Sequence, residues 1–121
     1  MKKAMTGKAG ELESARYLRK NGYEILSANY RCRLGEIDII AKKEKYICFV
    51  EVKTRDINFK YSPADAVNPA KRKKIILTAK LFLSQNESEL QPRFDIAEVI
   101  TENDKIREIN YIKNAFDGDG R

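Results

Sequence analysis

The sequence predicts an α/β fold of two helices and about five strands, in the order α-β-β-β-α-β-β. Two stretches carry apolar residues at helical spacing. Five shorter runs rich in Ile, Val and Phe read as strands, with turn residues between them. Two of those runs are apolar on both parities, which suits a sheet covered on both faces.

Thr6 to Asn21 reads as the first helix. Leu12, Ala15 and Leu18 form its apolar stripe, and Gly22 is a stop signal. On a helical wheel Glu11 falls between Ala15 and Leu18, while Glu13, Arg16 and Lys20 face away. Glu11 is therefore either a first-turn glutamate favoured by the helix dipole or a carboxylate with an inward task. Tyr23 to Arg31 is the first strand, followed by a basic turn, Cys32-Arg33-Leu34-Gly35. Glu36 to Ala41 and Tyr46 to Thr54 are the second and third strands, joined by the charged turn Lys42 to Lys45. Ile37, Ile39 and Ala41 are expected on one face of the second strand and Ile40 on the other.

Arg55 to Val67, with Pro63, reads as a substrate-facing loop with one helical turn after Ser62. Asn68-Pro69 opens the second helix, as N-cap and first helical residue. Ile75, Ile76, Ala79, Phe82 and Leu83 form its buried stripe. Lys71, Arg72, Lys73 and Lys74 crowd its first turns, where the helix dipole disfavours cations. Such a cluster is either a solvated charge run or the rim of an anion site. Asn86 to Pro92 is a connector, and Arg93 to Ile100 and Ile106 to Ala115 are the last two strands. The chain reads as one domain, 1–121, with ends at 1–5 and 117–121 that should fray.

Composition narrows the chemistry. The 121 residues carry a net charge of +6, which fits a polyanionic partner such as nucleic acid. There is no histidine, so Ser-His-Asp and Cys-His catalysis are excluded. Cys32 and Cys48 form no CxxC motif, which makes a zinc site a poor fit. No apolar run approaches the roughly 18 residues of a membrane span. The N-terminus lacks the apolar segment of a signal peptide, so the expected location is cytoplasmic, with no membrane partner.

Three charged residues interrupt the central strands: Asp38, Glu51 and Lys53. A carboxylate in an apolar strand is costly unless it is paired or binds a metal. If Glu44 and Lys45 centre the hairpin turn, Asp38 sits opposite Glu51 and Glu36 opposite Lys53, with Cβ atoms about 5 Å apart. Two carboxylates so placed repel each other unless a cation lies between them. Mg²⁺ or Mn²⁺ favours such oxygen ligands, and a bound ion polarises a phosphoryl oxygen and acidifies water. Lys53 is placed to orient that water or to stabilise charge on the phosphate. Glu11, if its helix packs over the sheet, joins the metal shell or assists proton transfer. A surface cross-strand ion pair is the bland alternative.

The arrangement resembles the PD-(D/E)XK nuclease superfamily, which implies an α/β, restriction-endonuclease-like core: a mixed central β-sheet of about five strands flanked by helices. More narrowly, the chain resembles the YraN family of small bacterial endonuclease-like proteins. The matching stretches run in order along nearly the whole chain: Gly10-Glu11 with Ala15, Tyr17-Leu18 and Gly22-Tyr23; Asn29-Tyr30-Arg31; Gly35-Glu36-Ile37-Asp38; Phe49-Val50-Glu51-Val52-Lys53 with Arg55; Ala66-Val67 with Lys71; Arg93-Phe94-Asp95; and Asn114-Ala115-Phe116. Ile37 departs from the pattern, standing where the superfamily name has proline.

The resemblance implies metal binding by Asp38 and Glu51, catalysis by Lys53 and a supporting role for Glu11. It implies a metal-dependent nuclease acting on nucleic acid, DNA ahead of RNA, branched or single-stranded substrates included. Arg33, Arg55, Lys71, Arg72, Lys74 and Arg93 are the candidate phosphate contacts, with Arg93 beside Asp95 open to a structural ion pair instead. A homodimer is one way for so small a nuclease to engage both strands. Two other readings stay open: a non-catalytic nucleic-acid-binding module, and a protein-interaction subunit active only in a complex.

Overall fold

The computed structural model describes residues 7–60 and 67–121. The N-terminal end at 1–5, the first residue of the expected first helix and the expected turn after Ser62 lie outside them. The elements follow the expected order: α1 (Gly7–Lys20), β1 (Glu24–Cys32), β2 (Gly35–Lys43), β3 (Tyr46–Asp56), α2 (Pro69–Gln85), β4 (Gln91–Glu102) and β5 (Lys105–Phe116). In space the strands keep their chain order. Neighbours are antiparallel except β3 and β4, which are parallel and joined through α2.

Local chemistry accounts for the boundaries. α1 closes with Gly22 at φ +86, Gly22 N–H on the Arg19 carbonyl and Tyr23 N–H on the Leu18 carbonyl. That is a Schellman closure, which needs a residue without Cβ strain. α2 starts where Asn68 accepts the Lys71 N–H at 2.9 Å, with Pro69 as first helical residue. β2 and β3 turn through Glu44-Lys45, giving the register Lys43↔Tyr46. β4 and β5 turn through Asn103 and Asp104, both left-handed, as a tight hairpin of matching twist requires.

The sheet is covered on both faces. On one, Phe49, Phe94, Ile96 and Phe116 pack against Ile75, Ile76, Ala79 and Phe82 of α2. On the other, Ile39, Ala41, Cys48, Val50 and Ala97 pack against Leu18 of α1.

Four expectations about packing and boundaries are corrected, the last of them at Ile37. Leu12 is 63 % exposed; Leu18 of the expected stripe is buried, and Gly10 and Ser14 are buried beside it. The helix thus presents small residues to the sheet, and its close approach decides which face is inward. Pro92 lies inside β4, opposite Ile47. Its missing N–H leaves no gap: Gln91 N–H bonds Lys45, so position 92 faces the other way, where β5 pairing starts only at Phe94. Arg55 belongs to β3 rather than to a loop. Residues 117–121 form a turn, with Asp117 N–H on the Arg121 carbonyl and Gly120 N–H on the Asp117 carbonyl.

Ile37 does not share a face with Ile39. It packs on the α2 side with Ile40, while Ile39 and Ala41 pack on the α1 side. The alternation therefore changes phase at Asp38, and this irregularity is what builds the site.

Candidate active site

β2 and β3 separate at Asp38. Their ladder runs from Lys43↔Tyr46 to Ile39↔Val50 and goes no further, although β2 continues to Gly35 and β3 to Asp56. On the other side of β2 the pairing passes from Ala28↔Ile39 to Tyr30↔Ile37. The intervening Asn29, opposite Asp38, is left-handed at φ 56. The Asp38 carboxylate closes the top of the fork by accepting the Val52 N–H at 2.8 Å. A backbone donor that would have served the ladder is satisfied by a side chain instead.

Each further group arrives from a different element. Glu51 lies on β3 in the register opposite Asp38 and is 6 % exposed. Lys53 follows two residues on, on the same face, and is half-buried. α1 brings Glu11 from the opposite face. It can lie close because Gly10 has no side chain: a Cβ there would meet Thr54 Oγ1 at 2.7 Å. Lys71, in the first turn of α2, reaches Glu51 with Nζ 3.2 Å from Oε1. The sheet thus opens at one point, and both helices send a charged side chain into the opening.

The electrostatics follow from crowding. Burial, then the hydrogen bond and negative charge of Asp38, push the Glu11 carboxyl up to about 7. Burial and the charge of Asp38 raise Glu51 to about 7 as well, with Lys71 opposing the shift. Burial and the neighbouring Lys71 ammonium lower Lys53. Lys71 is itself raised: Glu51 outweighs the effect of burial. Glu11 and Glu51 are thus each crowded by the Asp38 carboxylate, with the Lys53 and Lys71 ammoniums beside Glu51.

The donor set is all oxygen, which suits a hard divalent ion such as Mg²⁺ or Mn²⁺. Among the described residues, no three Asp, Glu, Cys or His side chains are already grouped around one ion position. Asp38 is the shared neighbour, with Glu11 on one side and Glu51 on the other. The hairpin keeps the expected register from Lys43↔Tyr46 to Ile39↔Val50; beyond it Asp38 and Glu51 stay within side-chain reach of each other, but Glu36 does not face Lys53. It pairs across β1–β2 with Arg31, at 3.2 Å. The reason is the fork itself, because past Asp38 β2 keeps β1 and loses β3.

With Lys71 turned to Glu51, the other five candidate phosphate contacts divide in two. Arg33 and Lys74 are exposed. The turn carrying Arg33 abuts α2, since a Cβ on Gly35 would lie 3.7 Å from Lys74 Cβ. Three arginines are held inside the fold. Arg55 pairs with the buried Glu98 at 3.1 Å. Arg72 donates to the Val67 and Gly120 carbonyls, fastening the C-terminal turn to α2. Arg93 binds Asp95 at 3.0 Å and donates to the Tyr23 hydroxyl at 2.8 Å. Asn29, which contacts Glu11 by a side-chain hydrogen bond, has no assigned role in the sequence reading. The cues to it are its place in the matching stretch Asn29-Tyr30-Arg31 and the tolerance of asparagine for left-handed backbone.

The model of the family described as "Uncharacterised protein family UPF0102" matches residues 10–99. The chain belongs to that family. UPF0102 is the YraN family that the sequence resembles. A UPF0102 protein of Caldanaerobacter subterraneus is 45% identical over 118 residues, covering 94% of this chain and 96% of its own. One from Lachnoclostridium phytofermentans is 46% identical over 122 residues, covering 99% of each. One from Clostridium acetobutylicum is 47% identical over 113 residues, covering 91% of this chain and 92% of its own. The matched segment spans Glu11, Asp38, Glu51, Lys53 and Lys71. No helix among the described residues is long and apolar enough to cross a membrane.

Proposed function

We propose that this UPF0102 protein is a metal-dependent nuclease of the PD-(D/E)XK type, hydrolysing phosphodiester bonds in nucleic acid, DNA ahead of RNA. The observation that carries the reading is the fork at Asp38, where strand separation gathers three carboxyls and two ammoniums. A structural ion pair does not need such crowding, and the raised Glu11 and Glu51 carboxyls mark a site short of positive charge.

Asp38 and Glu51, with Glu11 at the rim, would hold Mg²⁺ or Mn²⁺. When bound, the ion supplies Lewis-acid polarisation of a phosphoryl oxygen and a more acidic water. Lys53, with its ammonium less firmly protonated than usual, is placed to stabilise charge developing on the phosphate or to orient the attacking water. Arg33 and Lys74 form an exposed basic rim for the backbone of the substrate, in keeping with the net charge of +6.

The test is a cleavage panel of single-stranded, duplex and branched DNA and RNA with Mg²⁺ or Mn²⁺. Cutting should need the metal, and Asp38→Ala and Lys53→Ala should each lower its rate by roughly 100-fold or more while the fold is kept. Equal cutting by both variants would show the site to be misplaced. Salt-sensitive binding without cutting under any metal would favour the non-catalytic binding module.

A further inference from the structure

We propose that Lys71 is a built-in counter-ion that a divalent cation displaces from Glu51, and that the released ammonium then binds a non-bridging phosphate oxygen of the substrate. The inference rests on the nuclease reading and names a residue with two positions in the same site.

Glu51 is almost wholly buried, with 7% of its side chain exposed, and the Lys71 ammonium bonds it at 3.2 Å. A buried carboxylate needs such a partner. The two ends of the pair are not equally fixed. Glu51 is held by a strand in the middle of the sheet. Lys71 sits in the first turn of α2, and 42% of its side chain is exposed. A long side chain at that point can swing into solvent without moving the backbone, whose N–H is already held by Asn68. Its position is also one that the helix dipole disfavours for a cation, so the bond to Glu51 is what keeps it inward.

Charge balance gives the order of events. Without a divalent ion, Lys71 and Lys53 face Glu11, Asp38 and Glu51. A divalent ion on the carboxyls makes Lys71 redundant at Glu51 and crowds it against both the ion and Lys53. The ammonium leaves Oε1 but stays tethered beside the site, where a phosphodiester anion relieves the excess positive charge. Lys53 differs in its anchor, since it projects from β3 on the same strand face as Glu51, whereas Lys71 reaches in from α2. The two lysines are therefore not interchangeable.

The experiment is Mn²⁺ binding by isothermal titration calorimetry in the absence of nucleic acid, on the wild type, Lys71→Met, Lys73→Met and Asp38→Asn. Lys73 is the exposed neighbour and controls for general loss of positive charge. Lys71→Met should bind Mn²⁺ about tenfold more tightly than wild type, and Lys73→Met within about twofold of it. With Mn²⁺ present, Lys71→Met should bind a phosphorothioate oligonucleotide more weakly than wild type. Unchanged or weaker Mn²⁺ binding by Lys71→Met, beside Asp38-dependent binding in the wild type, overturns the displacement and leaves the nuclease reading intact. No Mn²⁺ binding by any of the proteins overturns both. Should Lys71→Met fold poorly, Lys71→Gln serves the same comparison, and tightening of less than about twofold in that variant overturns the displacement.

Discussion

Two charged clusters interrupt the same apolar sheet, and they are built in opposite ways. At Asp95 every oxygen has a donor. Arg93 binds it through Nε and Nη2, the Tyr111 hydroxyl donates at 2.6 Å, and the Asn114 N–H donates at 2.8 Å. Arg93 in turn holds the Tyr23 hydroxyl and lies over the Tyr46 ring. Asp95 keeps Arg93 firmly charged despite burial, while burial and the Asp95 charge hold the Tyr111 phenol far above its ordinary range. At Asp38 the carboxyls lie against one another, and two of them are pushed up to about 7. A satisfied network fixes β4 and β5 together. A crowded cluster leaves positive charge to be supplied from outside.

The contrast can be broken by mutation. Asp95→Ala strips the partner from a buried guanidinium and should cost about 3–5 kcal/mol in urea denaturation. Asp38→Asn, at pH 8, should stay within about 1 kcal/mol of wild type, because relief of carboxylate repulsion offsets the weaker bond to Val52. Equal losses at both positions would mean that both clusters are structural.

The pH dependence sharpens the same point. Glu11 and Glu51 hold a proton more tightly in the folded chain than in the unfolded one, where a glutamate has its ordinary value of 4.5. Between about 4.5 and 7 the folded state therefore binds more protons, and stability falls as pH rises through that window. Glu51, being largely buried, should account for about 1–2 kcal/mol of the fall. Denaturation of Glu51→Gln between pH 4.5 and 8 should show a flatter profile than wild type; an unchanged slope would count against the crowding. The smallest effect is expected at Leu12, on the outer side of α1. Leu12→Ser should change stability by no more than about 0.5 kcal/mol, whereas a buried leucine would lose several times that.

The sequence carries the order of elements because each has a local cause: Gly22 after α1, Asn68-Pro69 before α2, and Glu44-Lys45 in the hairpin that sets Asp38 against Glu51. What it hides depends on long-range pairing. The left-handed Asn29, the end of the β2–β3 ladder and the change of phase at Ile37 come from three strands meeting, and no two-residue alternation encodes them. The arginines tell the same story. Arg55 and Arg72 look like phosphate contacts in a line of text, but their partners Glu98 and Gly120 are distant in sequence; Arg93 is the exception, because Asp95 stands two residues on and shows the ion pair in the text. Leu12 misleads because helical spacing fixes a stripe without saying which stripe lies against the sheet. The site residues were legible through resemblance and through the cost of a carboxylate in an apolar strand. The crowding that raises Glu11 and Glu51 needed the third dimension.

The most direct measurement is the denaturation midpoint at pH 8 with and without Mn²⁺, for wild type and Asp38→Asn. Binding to the folded state alone should stabilise the wild type by about 2.7 kcal/mol when free Mn²⁺ is 100 times the dissociation constant. Asp38→Asn should lose most of that gain. A wild type indifferent to Mn²⁺, or an equal gain in the variant, would contradict a metal-binding fork at Asp38.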